Sequence, residues 1–215
     1  MFAVYALVFL IAARPFLAPG GGGSVNEPAA GVSPTPARGR VIVVTGPPGA
    51  GKTTVARVLA DSLPASVHLH ADDFWHYIRQ GRIEPYLTAA HGQNQVVMDV
   101  IAQAAFCYAA GAYQVVCDGI VGPWFISVFR TVAVARAIPL RYVILRPDQA
   151  TALRRARRRP SHTLTNPGPI RQLHRDFTEI GAYERHVFDN TSLEPQATAD
   201  ALLRGLAAGT YYVAP

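Results

Sequence analysis

The segment Arg40-Val-Ile-Val-Val-Thr45-Gly46-Pro47-Pro48-Gly49-Ala50-Gly51-Lys52-Thr53-Thr54-Val55 decides how the rest of the chain is read. Its centre, Gly46 to Thr53, is a complete G-x-x-x-x-G-K-[ST] pattern. Val41 to Val44 form an unbroken apolar run of buried-strand type, and Val55, Val58, Leu59 and Leu63 recur at helical spacing. Strand, glycine loop and helix follow in the order the pattern requires. Gly46, Gly49 and Gly51 let the backbone turn with its N–H groups inward, a nest for polyphosphate at the positive end of a helix. Lys52 is placed to reach the β- and γ-phosphates, and the Thr53 hydroxyl to ligate Mg²⁺. Gly46 through Thr54 is thus the expected ATP-binding segment. Of the 20 basic residues only Lys52 is a lysine. A compact ammonium stands where a planar guanidinium fits poorly.

The 215 residues are 50% hydrophobic, enough for one good core once the N-terminal stretch is set aside. A net charge of +6 suggests a nucleic-acid binder, yet Arg154, Arg155, Arg157, Arg158 and Arg159 supply five of those charges. The basicity is local, and no nucleic-acid partner is expected. Cys107 and Cys117 have no metal spacing and read as buried free thiols.

Residues 1–18 open with the apolar run MFAVYALVFLIAA, shorter than the roughly 20 residues of a membrane span. They read as an anchor-like segment or a start-site extension, and membrane contact is expected only if they are inserted. Residues 19–37, with GGGGS and PTPARG, read as a flexible linker. The folded domain is expected over 38–215, in the cytoplasm, where ATP chemistry belongs. Its pattern alternates strands (41–45, 67–70, 113–117, 140–145, 186–188) with helices (52–63, 74–80, 93–110, 124–137, one opened by Pro147, 170–182, 195–208). Gly111 sits where a helix C-cap glycine belongs, and 160–169 reads as a loop. The class is α/β, a parallel sheet with helices on both faces.

The GPPGAGKTT loop, Asp72-Asp73 after the second strand, Val-Val-Cys-Asp118 ending the third and an Arg-rich helix running into a Pro/Gly loop together resemble the P-loop small-molecule kinases and AAA-domain ATP-binding proteins. The likeness is to the chloramphenicol phosphotransferase, zeta-toxin and gluconate, shikimate and adenylate kinase group. It covers about residues 40–210. It implies a three-layer P-loop kinase fold, a mostly parallel five-stranded sheet of order 2-3-1-4-5, and an Arg-rich lid. By the same resemblance Asp72 accepts the proton of the acceptor hydroxyl. Asp73 is the alternative, and also a candidate helix N-cap. Asp118 takes the position of the carboxylate that orders Mg²⁺, against an ordinary Asp-Gly turn. Arg155 and Arg159, four apart on one helix face, are the lid candidates for clamping phosphates, against a solvated basic face. Asp73, Trp75, Gln93, Asn94 and Trp124 are expected around the acceptor, and the loop Asp189 to Ser192 beside the adenine or as a cap before Pro195. His68 and His70 point the same way from one strand, half of a metal site without further ligands at spacing.

The implied activity is ATP- and Mg²⁺-dependent phosphoryl transfer to a hydroxyl of a small molecule such as an antibiotic, a sugar or a nucleotide-sugar. The alternatives are a nucleotide-dependent regulatory ATPase without an acceptor and a polynucleotide kinase-like enzyme. A GTPase is disfavoured because N-K-x-D needs a second lysine, and no L-S-G-G-Q of transporter ATPases occurs.

Overall fold

The computed structural model of the chain describes residues 39–158 and 167–214. The expected boundary at 37/38, the segments before it and Arg159 lie outside those residues. The five strands are β1 (Arg40–Thr45), β2 (Ser66–His70), β3 (Gln114–Asp118), β4 (Leu140–Leu145) and β5 (Val187–Phe188). They form one sheet of order β2-β3-β1-β4-β5, and each neighbouring pair runs parallel. The helices are α1 (Lys52–Asp61), α2 (Asp72–His76), α3 (His91–Ala110), α4 (Ile126–Arg136), α5 (Gln149–Arg157), α6 (Pro167–Asp176) and α7 (Pro195–Ala207).

Period-two alternation divides the core into two layers. Val41, Val43, Val115, Cys117, Tyr142 and Ile144 face α3 and α4, whose Met98, Ile101, Phe106 and Phe129 are buried against them. Ile42, Val44, Val116, Val143 and Leu145 face α1 and α7 through Val55, Leu59, Leu202 and Leu206. Covering both faces is what lets β1 be apolar at every position from Val41 to Val44. Among the described residues no helix is long and apolar enough to cross a membrane.

Several local expectations are corrected. Helix α2 is a short turn of helix beginning at Asp72, and Ala71 occupies the N-cap without a side-chain bond, so neither aspartate caps it. The next boundary is set by Asp148 instead of Pro147: its Oδ1 accepts from Thr151 N at 2.7 Å, an N-cap bond. Gly111 closes α3 at φ −82, and Ala112 takes the left-handed turn at φ 68. Cys117 is buried, with burial pushing its thiol up, whereas Cys107 is exposed and accepts from Arg136 Nη1 at 3.4 Å.

Candidate active site

The C-terminal edge of the sheet carries the glycine loop. Gly46, Gly49 and Gly51 take φ of 141, 83 and 87, values that L side chains rarely adopt. A Cβ on Gly46 would lie 2.0 Å from the Leu145 carbonyl oxygen, and one on Gly49 would lie 2.0 Å from that of Ala152. The loop is therefore wedged between the end of β4 and α5 with no room for a side chain at Gly46 or Gly49. Inside it, the Pro47 carbonyl accepts from Ala50 N and from Lys52 Nζ, both at 3.1 Å. Lys52 is 6% exposed, its ammonium folded over the loop. Helix α1 starts at Lys52, and the first-turn amides of an α-helix have no intrahelical acceptor. A glycine loop bearing one ammonium thus leads directly into a helix N-terminus.

The loop is joined to β3. Thr53 Oγ1 donates to Asp118 Oδ2 at 2.7 Å. A hydroxyl that gives its proton to a carboxylate keeps its lone pairs for a cation. Asp118 is fully buried and has two further partners: His68 Nε2 at 2.7 Å and His70 Nδ1 at 3.2 Å, both on Oδ1. Parallel register explains the contact, since His70 of β2 is the direct neighbour of Asp118 in β3. Burial alone would push the Asp118 carboxyl up; hydrogen bonds from His68, His70 and Thr53 outweigh it and hold the carboxyl well below the usual carboxylate range. His70 is raised, chiefly by its bond to Asp118, against its own burial, with Asp118, Asp72 and Asp73 adding charge.

These shifts set a pH dependence for the metal-free protein. A raised imidazole stabilises fully below its ordinary value of 6.5, and that contribution is lost as pH rises through the raised one. The lowered Asp118 carboxyl stabilises above the ordinary carboxylate value and loses this only as pH falls through the lowered one. The urea midpoint is expected to fall as pH rises above neutrality, and His70→Asn is expected to flatten that slope. An unchanged slope in the variant would contradict the coupling.

Asp72 and Asp73 are exposed beside this cluster, with His70 Nε2 4.0 Å from Asp72 Oδ2. Trp75, Gln93 and Asn94 lie together, but their polar atoms turn inward. Trp75 Nε1 donates to Asn94 Oδ1 at 2.9 Å, and Asn94 Nδ2 donates to the Pro85 carbonyl at 2.7 Å. Gln93 receives Ile83 N and donates to Ile83 O, at 2.8 and 2.7 Å. The amide heads expected to meet an acceptor are in fact holding the 83–85 backbone against α3. Trp124 stays 47% exposed, covering Gly122 and lying 5.6 Å from the Phe177 ring. A groove of about 390 Å³ between α2 and α3, lined by Phe74, Tyr77, Gln93 and Val100 among others, is apolar and includes no residue of the glycine loop or β3.

Arg155 Nη2 donates to the carbonyls of Asn190 and Thr191, both at 3.2 Å, and Arg154 Nη2 to Thr151 Oγ1 at 3.0 Å. The loop that Arg155 holds reaches back to the glycine loop, because Asn190 Nδ2 donates to the Ala50 carbonyl at 2.9 Å. Asn190 is 2% exposed, and its Oδ1 is buried without a partner among the described residues. Asp189 Oδ1 accepts from Thr191 N at 2.8 Å, while the N-cap before Pro195 is Glu194. His68 and His70, read from the sequence only as half of a metal site, and Asn190, read only as part of the loop Asp189 to Ser192, are the residues whose contacts here the sequence did not assign. The signal for the histidines was their alternation on β2; for Asn190 it was only its place in the loop after β5.

A nucleotide and a divalent cation fit this donor set. Gly46, Gly49 and Gly51 hold the left-handed turns of a phosphate-binding loop, Thr53 and Asp118 form a hydroxyl–carboxylate pair, and Asn190 Oδ1 is a buried acceptor without a donor among the described residues.

A family model described as an AAA domain matches residues 41–178, more than half of the chain. No curated protein matches the sequence. Among solved structures, a gluconokinase from Sinorhizobium meliloti 1021 is similar with a TM-score of 0.61 at 19% identity, covering 81% of this chain and 94% of that one. The tunicamycin resistance protein of Deinococcus radiodurans gives 0.60 at 18%, covering 83% and 100%. The Mycobacterium tuberculosis APS kinase CysC in complex with AMPPNP and APS gives 0.58 at 17%, covering 79% and 98%. At these identities the likeness establishes the P-loop kinase fold.

Proposed function

The chain belongs to the AAA domain family, and on that premise we propose that it is an ATP- and Mg²⁺-dependent kinase that phosphorylates a hydroxyl of a small polar molecule. The observation that carries the reading is the 2.7 Å bond between Thr53 and Asp118, which joins the phosphate loop to a buried carboxylate. The APS kinase neighbour, whose structure holds AMPPNP, and the gluconokinase neighbour support the same class.

Bound Mg·ATP would supply the γ-phosphoryl group and the cation that offsets its charge. The residues of this chain do the rest. The loop amides and Lys52 hold the phosphates, and Thr53 with Asp118 holds the cation. His68 and His70 fix the Asp118 carboxylate in its ionised form, facing the loop. Asp72, exposed on the first turn of α2, accepts the proton of the acceptor hydroxyl. Arg155 and Asn190 keep the 190–193 loop seated on the phosphate loop, and Arg159 is assigned to the lid. Trp124 and Asp73 border the acceptor, while Trp75, Gln93 and Asn94 shape its wall from behind.

Asp72→Asn is expected to bind ATP like the parent and to lose transfer by roughly 10²-fold, the low end for general bases, because phosphoryl transfer relies mainly on positioning and electrostatics. Equal transfer would remove Asp72 as the base. The acceptor class is read by incubating the protein with γ-labelled ATP and a panel of aminoglycosides, amphenicols, sugars, nucleosides and oligonucleotides. Label on a small-molecule hydroxyl is expected. Label only in free phosphate would favour a regulatory ATPase, and label on oligonucleotides a polynucleotide kinase.

A further inference from the structure

At the opposite edge of the sheet from the glycine loop, two arginines stand without a counter-charge among the described residues. Arg40 is the first residue of β1, and Arg141 is the second residue of β4. The strands are parallel neighbours with Arg141 opposite Ile42, so Arg40 and Arg141 lie diagonally adjacent. Alternation puts both on the face that Ile42, Val44 and Val143 present to α1 and α7. Both are partly buried. Arg40 Nε and Arg141 Nε and Nη1 are shut off from solvent and have no hydrogen-bond acceptor among the described residues. Neither arginine takes part in any ion pair among those residues. The contact that Arg141 does make is with a ring: its guanidinium lies 4.7 Å from the centre of Tyr212, whose backbone bridges Arg141.

Proteins seldom leave such an arrangement unanswered. A guanidinium taken partly out of water loses hydration and needs an acceptor in return, and two like charges side by side add repulsion. Burial, and then the charge of Arg141, weaken the hold of Arg40 on its proton, the signature of a cation lacking an anion. The planar donor forks of two arginines match the oxygens of a tetrahedral oxyanion, and the aromatic face of Tyr212 fixes one fork in place.

We propose that Arg40 and Arg141, backed by Tyr212, form a second anion site on this protein, for an oxyanion of the phosphate class, at the sheet edge remote from the nucleotide loop. The site stands independently of the kinase reading. Free phosphate and the phosphate of a larger ester share this chemistry; inorganic phosphate tests the site itself, and a phosphate monoester in a parallel titration separates the two sources.

The test uses the full chain. Phosphate is titrated at constant ionic strength while the arginine Nε–H resonances are followed by nitrogen-15 NMR. Saturable movement of the Arg40 and Arg141 resonances in the unsubstituted protein is expected; unmoved resonances overturn the proposal. Thermal melts give a second reading on Arg40→Met and Arg141→Met. Any phosphate taken by the glycine loop is common to all three proteins, so the quantity of interest is the difference between them. At about ten times its dissociation constant, phosphate at the second site is expected to raise the melting temperature of the parent by roughly 3–6 °C more than that of either variant. An equal gain in all three proteins would overturn the site.

Discussion

Lys52→Ala is expected to reduce nucleotide-dependent turnover by on the order of 10³-fold, the scale seen when one fixed donor to a developing oxyanion is removed. Lys52 is buried with its ammonium on the Pro47 carbonyl, so it sits on the inner wall of the phosphate cradle and not in solvent. Stability should change by no more than about 3 kcal/mol, the upper worth of a hydrogen bond involving a charged group. Lys52→Arg sharpens the result because it keeps the charge. A forked guanidinium cannot be folded over the Pro47 carbonyl in a loop this tight, so the same loss is expected. Turnover with labelled ATP and circular dichroism melts measure both variants. If Lys52→Arg retained parental turnover, net charge alone would matter, and the positional argument would fail.

Gly49→Ala is expected to give the largest loss of stability, above about 4 kcal/mol, or to expel the loop from its seat. The new Cβ would lie 2.0 Å from the Ala152 carbonyl oxygen and 2.8 Å from its carbon, both backbone atoms of α5, at a φ of 83. Gly51→Ala is the control. Its φ of 87 is just as unfavourable, but the nearest atom to its Cβ is Asn190 Nδ2 at 3.8 Å. It should cost only the left-handed backbone, about 1–2 kcal/mol. Denaturant midpoints of the two variants separate clash from conformational strain; equal losses would contradict the wedged loop.

What could be read from the sequence was what a local pattern encodes. The glycine loop, the apolar run of β1 and the carboxylate ending β3 need only neighbours a few residues away, and the structure has them in that order. The strand order came from the family resemblance and is the order observed. What could not be read depends on who lies next to whom. His68 and His70 became partners of Asp118 only because β2 pairs with β3 in a register that sets His70 beside it. Asn190 meets the Ala50 carbonyl across 140 residues of sequence. Trp75, Gln93 and Asn94 look like ligand-facing groups by type, yet their polar atoms satisfy one another and the 83–85 backbone. The family resemblance makes Arg155 a lid candidate; the contacts of its guanidinium with the carbonyls of the 190–193 loop depend on a segment some 35 residues away and had no local signal. Arg146 had no sequence signal at all, and its paired bonds to Glu184, both at 2.9 Å, tie the end of β4 to the turn before β5.

The most direct test is calorimetric titration of the unsubstituted full chain with Mg·ATP. One saturable binding event per chain is predicted, abolished by inorganic triphosphate as a competitor. No heat, or heat that excess triphosphate leaves untouched, would show that the loop from Gly46 to Thr54 does not hold a polyphosphate.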